Sequence, residues 1–412
     1  MRQIGINLEN VKLKNRSSIL KTLNNLGPMS RKDIAYEVGL TPAAVTLLTT
    51  EMIEERILTE KGELQEERRA GRKKILVDID YQSKWVIAVS IEMKNTYIQI
   101  CDLKAKVLKQ LKLPTRNELP AKQFLRIIAD EALRLYEGMD LSRELLGMGI
   151  CIPGIVSRRK GLSIRAYGIW KSEVPVKELM ESWMKCPVIV ENNVKAFAEG
   201  ELLYGVGKKD SNLLFLKWGP GVGSAIVIQN ELYEGKDNRA AEIGHYIIEP
   251  AGKLCRCGRK GCLETRVSIS AMTDKLREKF MNADTPALHE WAGGDETMIT
   301  EENFTDLLIN SNTEYPAALS DPPVQDLLNQ NIERLARAVV NVITFMAPDY
   351  TVLFGSMFEN SYVEETFLKY CMQYDESYNH SSIGKSKLSA GICHIGAVAL
   401  VTKEFMFEQG KN

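Results

Sequence analysis

Three cysteines, Cys255, Cys257 and Cys262, crowd one short segment, EIGHYIIEPAGKLCRCGRKGCLE, and His245 stands upstream in it. One imidazole and three thiolates make the ligand set of a closed tetrahedral zinc site. Gly258 and Gly261 supply the backbone freedom that so tight a loop around one ion requires. The other cysteines, Cys101, Cys151, Cys186, Cys371 and Cys393, are scattered, which does not suit the disulfide framework of a small secreted domain. The segment therefore predicts one structural Zn2+ per chain, held by His245, Cys255, Cys257 and Cys262, with no open position for catalysis. Reduced, buried cysteines are the plain alternative.

A chain of 412 residues is too long for one hydrophobic core, so two or three domains are expected. Its 44% apolar and 26% charged residues are those of a folded protein, not a disordered one. A net charge of −1 means that any nucleic-acid contact must come from a local basic patch. The N-terminus has no signal-peptide character and no stretch approaches the roughly 18 apolar residues of a membrane span. A cytoplasmic protein without a membrane partner is expected.

The first eighty residues supply such a patch. Ile19, Leu20, Leu23 and Leu26 mark one helix face that Gly27-Pro28 ends. Ser30 with Asp33 caps a second helix that stops at Gly39, and Thr41-Pro42 opens a third lined by Val45, Leu48 and Met52. Small Ala35 and the turn at Gly39 let the last two helices pack as a helix-turn-helix. Thr41, Ala43, Thr46, Thr49 and Thr50 are short enough to enter a major groove, with Arg31 beside them. Ile57–Thr59 and Lys74–Val77 read as the strands of a wing whose loop carries Arg68, Arg69, Arg72 and Lys73, suited to phosphate or the minor groove. A protein-binding three-helix module with a solvated charge run is the competing interpretation.

From Lys84 the pattern turns to strands, Trp85–Ile91, Tyr97–Cys101 and Val107–Leu111, then a helix near Ala121–Tyr136 and a buried strand at Met148–Ile152. A similar progression recurs: a strand at Val188–Val190, a helix at Val194–Tyr204, and a hairpin of Leu213–Trp218 with Ala225–Gln229. Helices near Asn329–Met346 and Ile395–Phe407 bracket a strand at Tyr350–Leu353. Gly293–Pro323 has no clean period and is expected to be a loop-rich insertion. Two sheet-and-helix lobes are the simplest organisation.

The zinc segment, GMGICIPGIV at Gly147–Val156, ENNVKAFAEGE at Glu191–Glu201, KWGPGVGSAIV at Lys217–Val227 and the N-terminal module followed by RRAGRK together resemble the ROK family of repressors, open reading frames and sugar kinases. The resemblance implies an α/β chain: an N-terminal winged helix-turn-helix followed by a two-lobed actin-like, ribonuclease-H-like domain that holds a sugar in its cleft, and it implies oligomers. The expected domains are residues 1–80 for the winged helix, 81–190 for lobe 1, completed by the C-terminal helix 395–412, and 191–394 for lobe 2 with the zinc site.

By the same resemblance, Asn192, Glu242, His245 and Glu264 match sugar-binding positions, and Asn193 stands where the kinases carry their base. An amide hydrogen-bonds a hydroxyl but does not take its proton. The kinases' first phosphate loop, an acidic residue, two glycines and a threonine, is here Ser90-Ile91-Glu92-Met93-Lys94-Asn95. The second has Pro220 in place of threonine; its glycines then serve a hairpin turn. The expected function is a sugar-responsive repressor, homodimeric or higher, whose partners are double-stranded operator DNA and a sugar or sugar phosphate. An active sugar kinase with an appended DNA-binding module is the alternative, and control by a protein partner is a third.

Overall fold

The computed structural model describes residues 8–63, 75–140, 142–205, 212–280, 284–308, 320–378, 381–388 and 394–408. Helix α1 (Leu8–Leu26) buries Ile19, Leu20 and Leu23 and ends at Gly27, whose φ is 82°. Strand β1 (Met29–Ser30) leads straight into α2 (Arg31–Val38), because Ser30 accepts the Asp33 N–H as its N-cap. Gly39, at φ 71°, closes that helix in the left-handed conformation. Thr41 then accepts the Ala44 N–H and Pro42 occupies the first turn of α3 (Pro42–Glu54). Each cap is worth about 1 kcal/mol, and together they fix where the two helices begin. Strands β2 (Leu58–Glu63) and β3 (Ile75–Ile79) pair antiparallel, with β1 on the other edge of β3. This is a winged helix. Its basic loop, Arg68, Arg69, Arg72, Lys73 and Lys74, lies outside the described residues.

The next sheet is a meander of β4 (Lys84–Ile91), β5 (Asn95–Cys101) and β6 (Val107–Pro114), followed by α4 (Ala121–Glu137) and β7 (Glu144–Ile152). A small hairpin, β8 (Ile155–Ser157) and β9 (Leu162–Arg165), precedes α5 (Val176–Met184), β10 (Val188–Asn192) and α6 (Asn193–Tyr204). The order is β10-β7-β4-β5-β6, with β7 parallel to β4 and β10 parallel to β7. Strands β4, β7 and β10 are apolar along most of their length, as parallel strands covered on both faces must be. Phe124, Ile128, Met180 and Met184 from α4 and α5 seal one face. The helix at His394–Thr402 crosses the other face together with α6.

The second sheet repeats the plan. Strands β11 (Leu213–Trp218), β12 (Val222–Ile228) and β13 (Glu231–Leu232) form the meander; α7 (Glu264–Val267), α8 (Ile269–Phe280), α9 (Pro286–Trp291), α10 (Phe304–Leu308) and α11 (Pro322–Met346) follow. Strand β14 (Tyr350–Phe354), α12 (Ser361–Tyr374) and β15 (Ile383–Lys385) complete it before α13 (His394–Thr402) returns to the first sheet. The order β13-β12-β11-β14-β15, with β14 parallel to β11 and β15 parallel to β14, mirrors the first. Within the stretch expected to be loop-rich, Ile299, Phe304, Leu307 and Leu308 are buried in this core. The short α10 thus anchors it, while residues 309–319 lie outside the described part.

Two compact units result, residues 1–204 with 393–412 and residues 205–392. The division falls at Tyr204 rather than at the expected 190/191. The reason is that β10 hydrogen-bonds to β7 along its length, and α6 packs on α13. A Cβ at Gly396 would lie 2.6 Å from the carbonyl carbon and oxygen of Ala196, so the two helices meet backbone to backbone. The winged helix belongs to the first unit too. Helix α1 rests on the π-helical turn Lys403–Phe407 that follows α13, where Leu13, Leu20 and Ile57 face Met406 and Phe407. Lys21 pairs with Glu408 at 3.4 Å, and Asn24 Nδ2 donates to Leu203 O at 3.0 Å.

Candidate metal centre and ligand-contact residues

His245 ends a single 3-10 turn, Ile243–His245, and the cysteine loop folds back on it through bridges of Ile247 with Cys262 and Leu254 with Lys260. Gly261, at φ 69°, is obligatory there, since a Cβ would sit 1.6 Å from Glu249 O. The ligand atoms of His245, Cys255, Cys257 and Cys262 all lie within 4.8 Å of one another. Cys255 Sγ is 3.6 Å from His245 Nδ1, and Cys257 Sγ is 3.6 Å from Cys262 Sγ. Metal–ligand bonds of about 2.0–2.3 Å in a tetrahedron give edges of about 3.4–3.8 Å, so the four residues fit one ion. Burial, helped by Arg259, lowers the His245 pKa to about 4 and leaves the imidazole neutral, as a ligand must be. Burial also pushes the Cys255 thiol up to about 12, and a coordinated cation is what deprotonates such a thiol. With Nδ1 turned to the cysteines, His245 Nε2 faces Glu242 Oε2 at 3.8 Å. At that separation the carboxylate lies near the imidazole without a direct hydrogen bond.

Glu264 opens α7 next to this loop and is partly buried, not simply exposed. Its Oε2 accepts the Val222 N–H at 3.3 Å, and a Cβ at Gly221 would stand 3.2 Å from it. Desolvation raises its pKa despite that hydrogen bond. A cavity of about 160 Å³ opens beside it, lined by Lys253, Arg256, Ser268 and Ser270 among others. Gly219 N donates to Gly221 O at 3.0 Å with Pro220 at the tip, so the glycine-rich loop closes the β11–β12 hairpin. In this unit Glu242, His245 and Glu264 thus share one loop system organised by the cysteine cluster.

Asn192 and Asn193 lie in the first unit, at the junction of β10 and α6. Asn192 Oδ1 accepts the N–H groups of Val194 and Lys195 at 2.9 and 3.2 Å, and its Nδ2 donates to Gly154 O at 2.7 Å. It caps α6 and ties it to the start of the β8–β9 hairpin. The β4–β5 turn is closed by Glu92 N donating to Asn95 O at 2.9 Å, while Thr115 Oγ1 donates to Glu92 O at 2.7 Å. Glu92 presents its carboxylate to the Asn193 amide at 3.4 and 3.5 Å. That pairing, absent from the sequence expectations, brings together residues a hundred positions apart.

On the winged helix, Thr41, Ala43, Thr46 and Thr50 are exposed. Thr49 is not. It is fully buried, donates to Val45 O at 2.8 Å and accepts from Arg31 Nε at 3.1 Å, which removes it from the expected groove-facing set. Its place in the stripe Val45, Leu48, Thr49, Met52 is the helical spacing of a core face. Arg31 also donates to Glu60 Oε1 at 2.9 Å and so braces α3 against β2. Leu47, 62% exposed, was missed; it completes the i, i+3, i+4, i+7 face Ala43, Thr46, Leu47, Thr50. No described helix is long and apolar enough to cross a membrane.

Residues 86–404 match the ROK family. The xylose repressor of Caldicellulosiruptor bescii is 24% identical over 399 residues, 95% of this chain and 96% of that one. The crystal structure of a ROK family transcriptional regulator, a homologue of the E. coli MLC protein, has a TM-score of 0.77 at 22% identity and covers 97% of both chains. A ROK family glucokinase from Streptomyces griseus, solved with glucose and AMPPNP, has a TM-score of 0.65 at 24% identity over 77% of this chain and 98% of that one. These two likenesses show a shared fold.

Proposed function

Because this chain belongs to the ROK family, we propose that it is a sugar-responsive transcriptional repressor in which a kinase-like domain reads a sugar and does not phosphorylate it. The winged helix carries the reading. It presents Thr41, Ala43, Thr46, Leu47 and Thr50 as one short-chained exposed face, shaped to lie against base edges, while Arg69, Arg72 and Lys73 of the wing contact phosphate or the minor groove. The relative named a xylose repressor, aligned along nearly the full chain, supports it.

Three features support the loss of phosphoryl transfer. Asn193 offers an amide where a base is needed, and its neighbour Glu92 sets a carboxylate where phosphate would approach. The N–H of Glu92 is spent inside the β4–β5 turn, and the Gly219–Gly221 turn closes on itself with Pro220 at its tip. What survives is a set of polar groups suited to hydroxyls: Asn192, Asn193, Glu242, His245 and Glu264. One zinc ion, bound by His245, Cys255, Cys257 and Cys262, serves a structural role. It fixes the loop that carries Glu242 and Glu264, and supplies no step of a reaction. We place the protein in the cytoplasm as a homodimer or higher oligomer, the symmetry that a two-fold operator matches.

The test is binding of the purified protein to DNA upstream of its own and neighbouring genes, across a salt series, with and without a panel of pentoses, hexoses, amino sugars and their phosphates. Salt-dependent binding that a sugar shifts is expected. Absence of DNA binding under all conditions refutes the reading.

A further inference from the structure

Asn192 and Asn193 begin a helix whose other end touches the DNA-binding domain. Helix α6 runs about 18 Å from those two residues to Leu203 and Tyr204. There Leu203 O accepts Asn24 Nδ2 of α1 at 3.0 Å, and Tyr81 OH donates to Asn24 Oδ1 at 3.3 Å. Midway along α6 stands Glu199, 2% exposed, a position where a charge survives only with partners. Arg158 donates to it at 3.1 Å and to Glu404 at 3.0 Å; Lys403 Nζ reaches it at 3.0 Å. Arg158 follows directly on β8, whose entry residue Gly154 accepts the Asn192 amide. Lys403 and Glu404 belong to the turn on which α1 rests.

From this we infer that Arg158 is a positioning residue that couples the effector end of α6 to helix α1 of the DNA-binding domain, acting through Glu199 and the Lys403–Phe407 turn. The inference rests on the reading of Asn192 and Asn193 as effector contacts. Two routes leave those residues, α6 itself and the β8 hairpin, and Arg158 is where they rejoin. An apolar residue of similar length would fill its space, whereas a guanidinium holds two carboxylates on two elements in one register. Ala196 and Gly396 add stiffness, because there α6 and α13 touch through their backbones with no side chain between to absorb a shift.

Hydrogen exchange on the full chain tests this without sugar or DNA. Asn192→Ala removes the cap of α6 and the bond to Gly154, and is expected to speed exchange in the first turn of α6 about fivefold. In the presence of Arg158 the amides of α1 respond by about threefold or more; in Arg158→Gln the same Asn192→Ala change leaves α1 within about 1.5-fold, and Arg158→Lys restores part of the response. A merely structural Arg158 predicts additive effects, and additivity overturns the inference. So does an α1 that stays unmoved by Asn192→Ala while α6 responds. If Arg158→Gln does not fold, the comparison of wild type with Arg158→Lys decides: an undiminished α1 response in the lysine variant sinks the proposal. Neither failure touches DNA or sugar binding, so the repressor reading stands or falls on its own assay.

Discussion

Gly396→Ala sets two known effects against each other. In an isolated helix, alanine in place of glycine stabilises by about 1 kcal/mol. In α13, however, the new Cβ would lie 2.6 Å from the carbonyl carbon and oxygen of Ala196 and 2.9 Å from Phe197 N. Ordinary contacts begin near 3.4 Å, so the α6 backbone must retreat by about 0.8 Å or distort, and overpacking of this kind costs about 1–3 kcal/mol. Part of the propensity gain survives. The net expectation is a loss of about 1–2 kcal/mol, or about 3–6 °C in the melting temperature of a unit this size. Two companions calibrate the argument. At Gly149 a Cβ would lie 2.3 Å from Ala397 O, a backbone atom of α13 facing the inner strand β7, so Gly149→Ala costs more. At Gly200 the nearest atom is Ile395 Cγ2 at 2.8 Å, the end of a side chain that can turn away, so Gly200→Ala stays within about 1 kcal/mol of wild type. Differential scanning calorimetry reads all three. A Gly396→Ala protein that melts at or above wild type, or a Gly200→Ala protein that loses more than it, refutes the claim that α6 and α13 are held by backbone contact.

Elemental analysis is expected to find about one zinc per chain; Cys257→Ala loses it and destabilises the second unit by several kcal/mol, and a fully stable metal-free variant contradicts the site. Leu47→Glu, which places a carboxylate on the exposed face of α3, abolishes DNA binding at unchanged melting temperature, whereas Thr49→Val lowers stability by about 1 kcal/mol through the lost Arg31 contact; a stability loss in the first variant alone would reverse the assignment of these two faces. On the proposed reading that Glu92 and Pro220 obstruct the phosphates, Asn193→Asp is expected to give no ATP consumption with any common hexose in a coupled assay; turnover above background counts against that account.

Local chemistry was the readable part of this chain. The caps at Ser30 and Thr41, the glycine at position 39 and the proline at 42 act through hydrogen bonds and torsions within four residues, so their roles follow from spacing alone. The clustering of His245 with Cys255, Cys257 and Cys262 was legible from the density of cysteines in one short segment, and the repeated strand meander from its alternating pattern. Thr49 departs from the groove-facing expectation because its spacing from Val45 and Met52 sets it on the core face, where its small polar side chain is satisfied within the helix. The extent of the first unit was illegible for a different reason. Glu199 is charged yet buried, because its partners Arg158 and Lys403 stand 41 and 204 positions away in sequence. The approach of Glu92 to Asn193 likewise depends on how β4 and β10 flank β7 in the sheet, which no local pattern encodes.

The return of α13 to the first sheet fixes an order of events during synthesis. The ribosome makes residues 205–392 after α6 and before α13, so the first sheet waits for an entire second unit before its open face is covered. Until then β4 and β7 lack the helix that seals them, and the turn on which α1 rests does not exist. The winged helix thus emerges well before the turn on which it rests. A chain interrupted anywhere in the second unit carries a winged helix without the Lys403–Phe407 turn against which α1 packs.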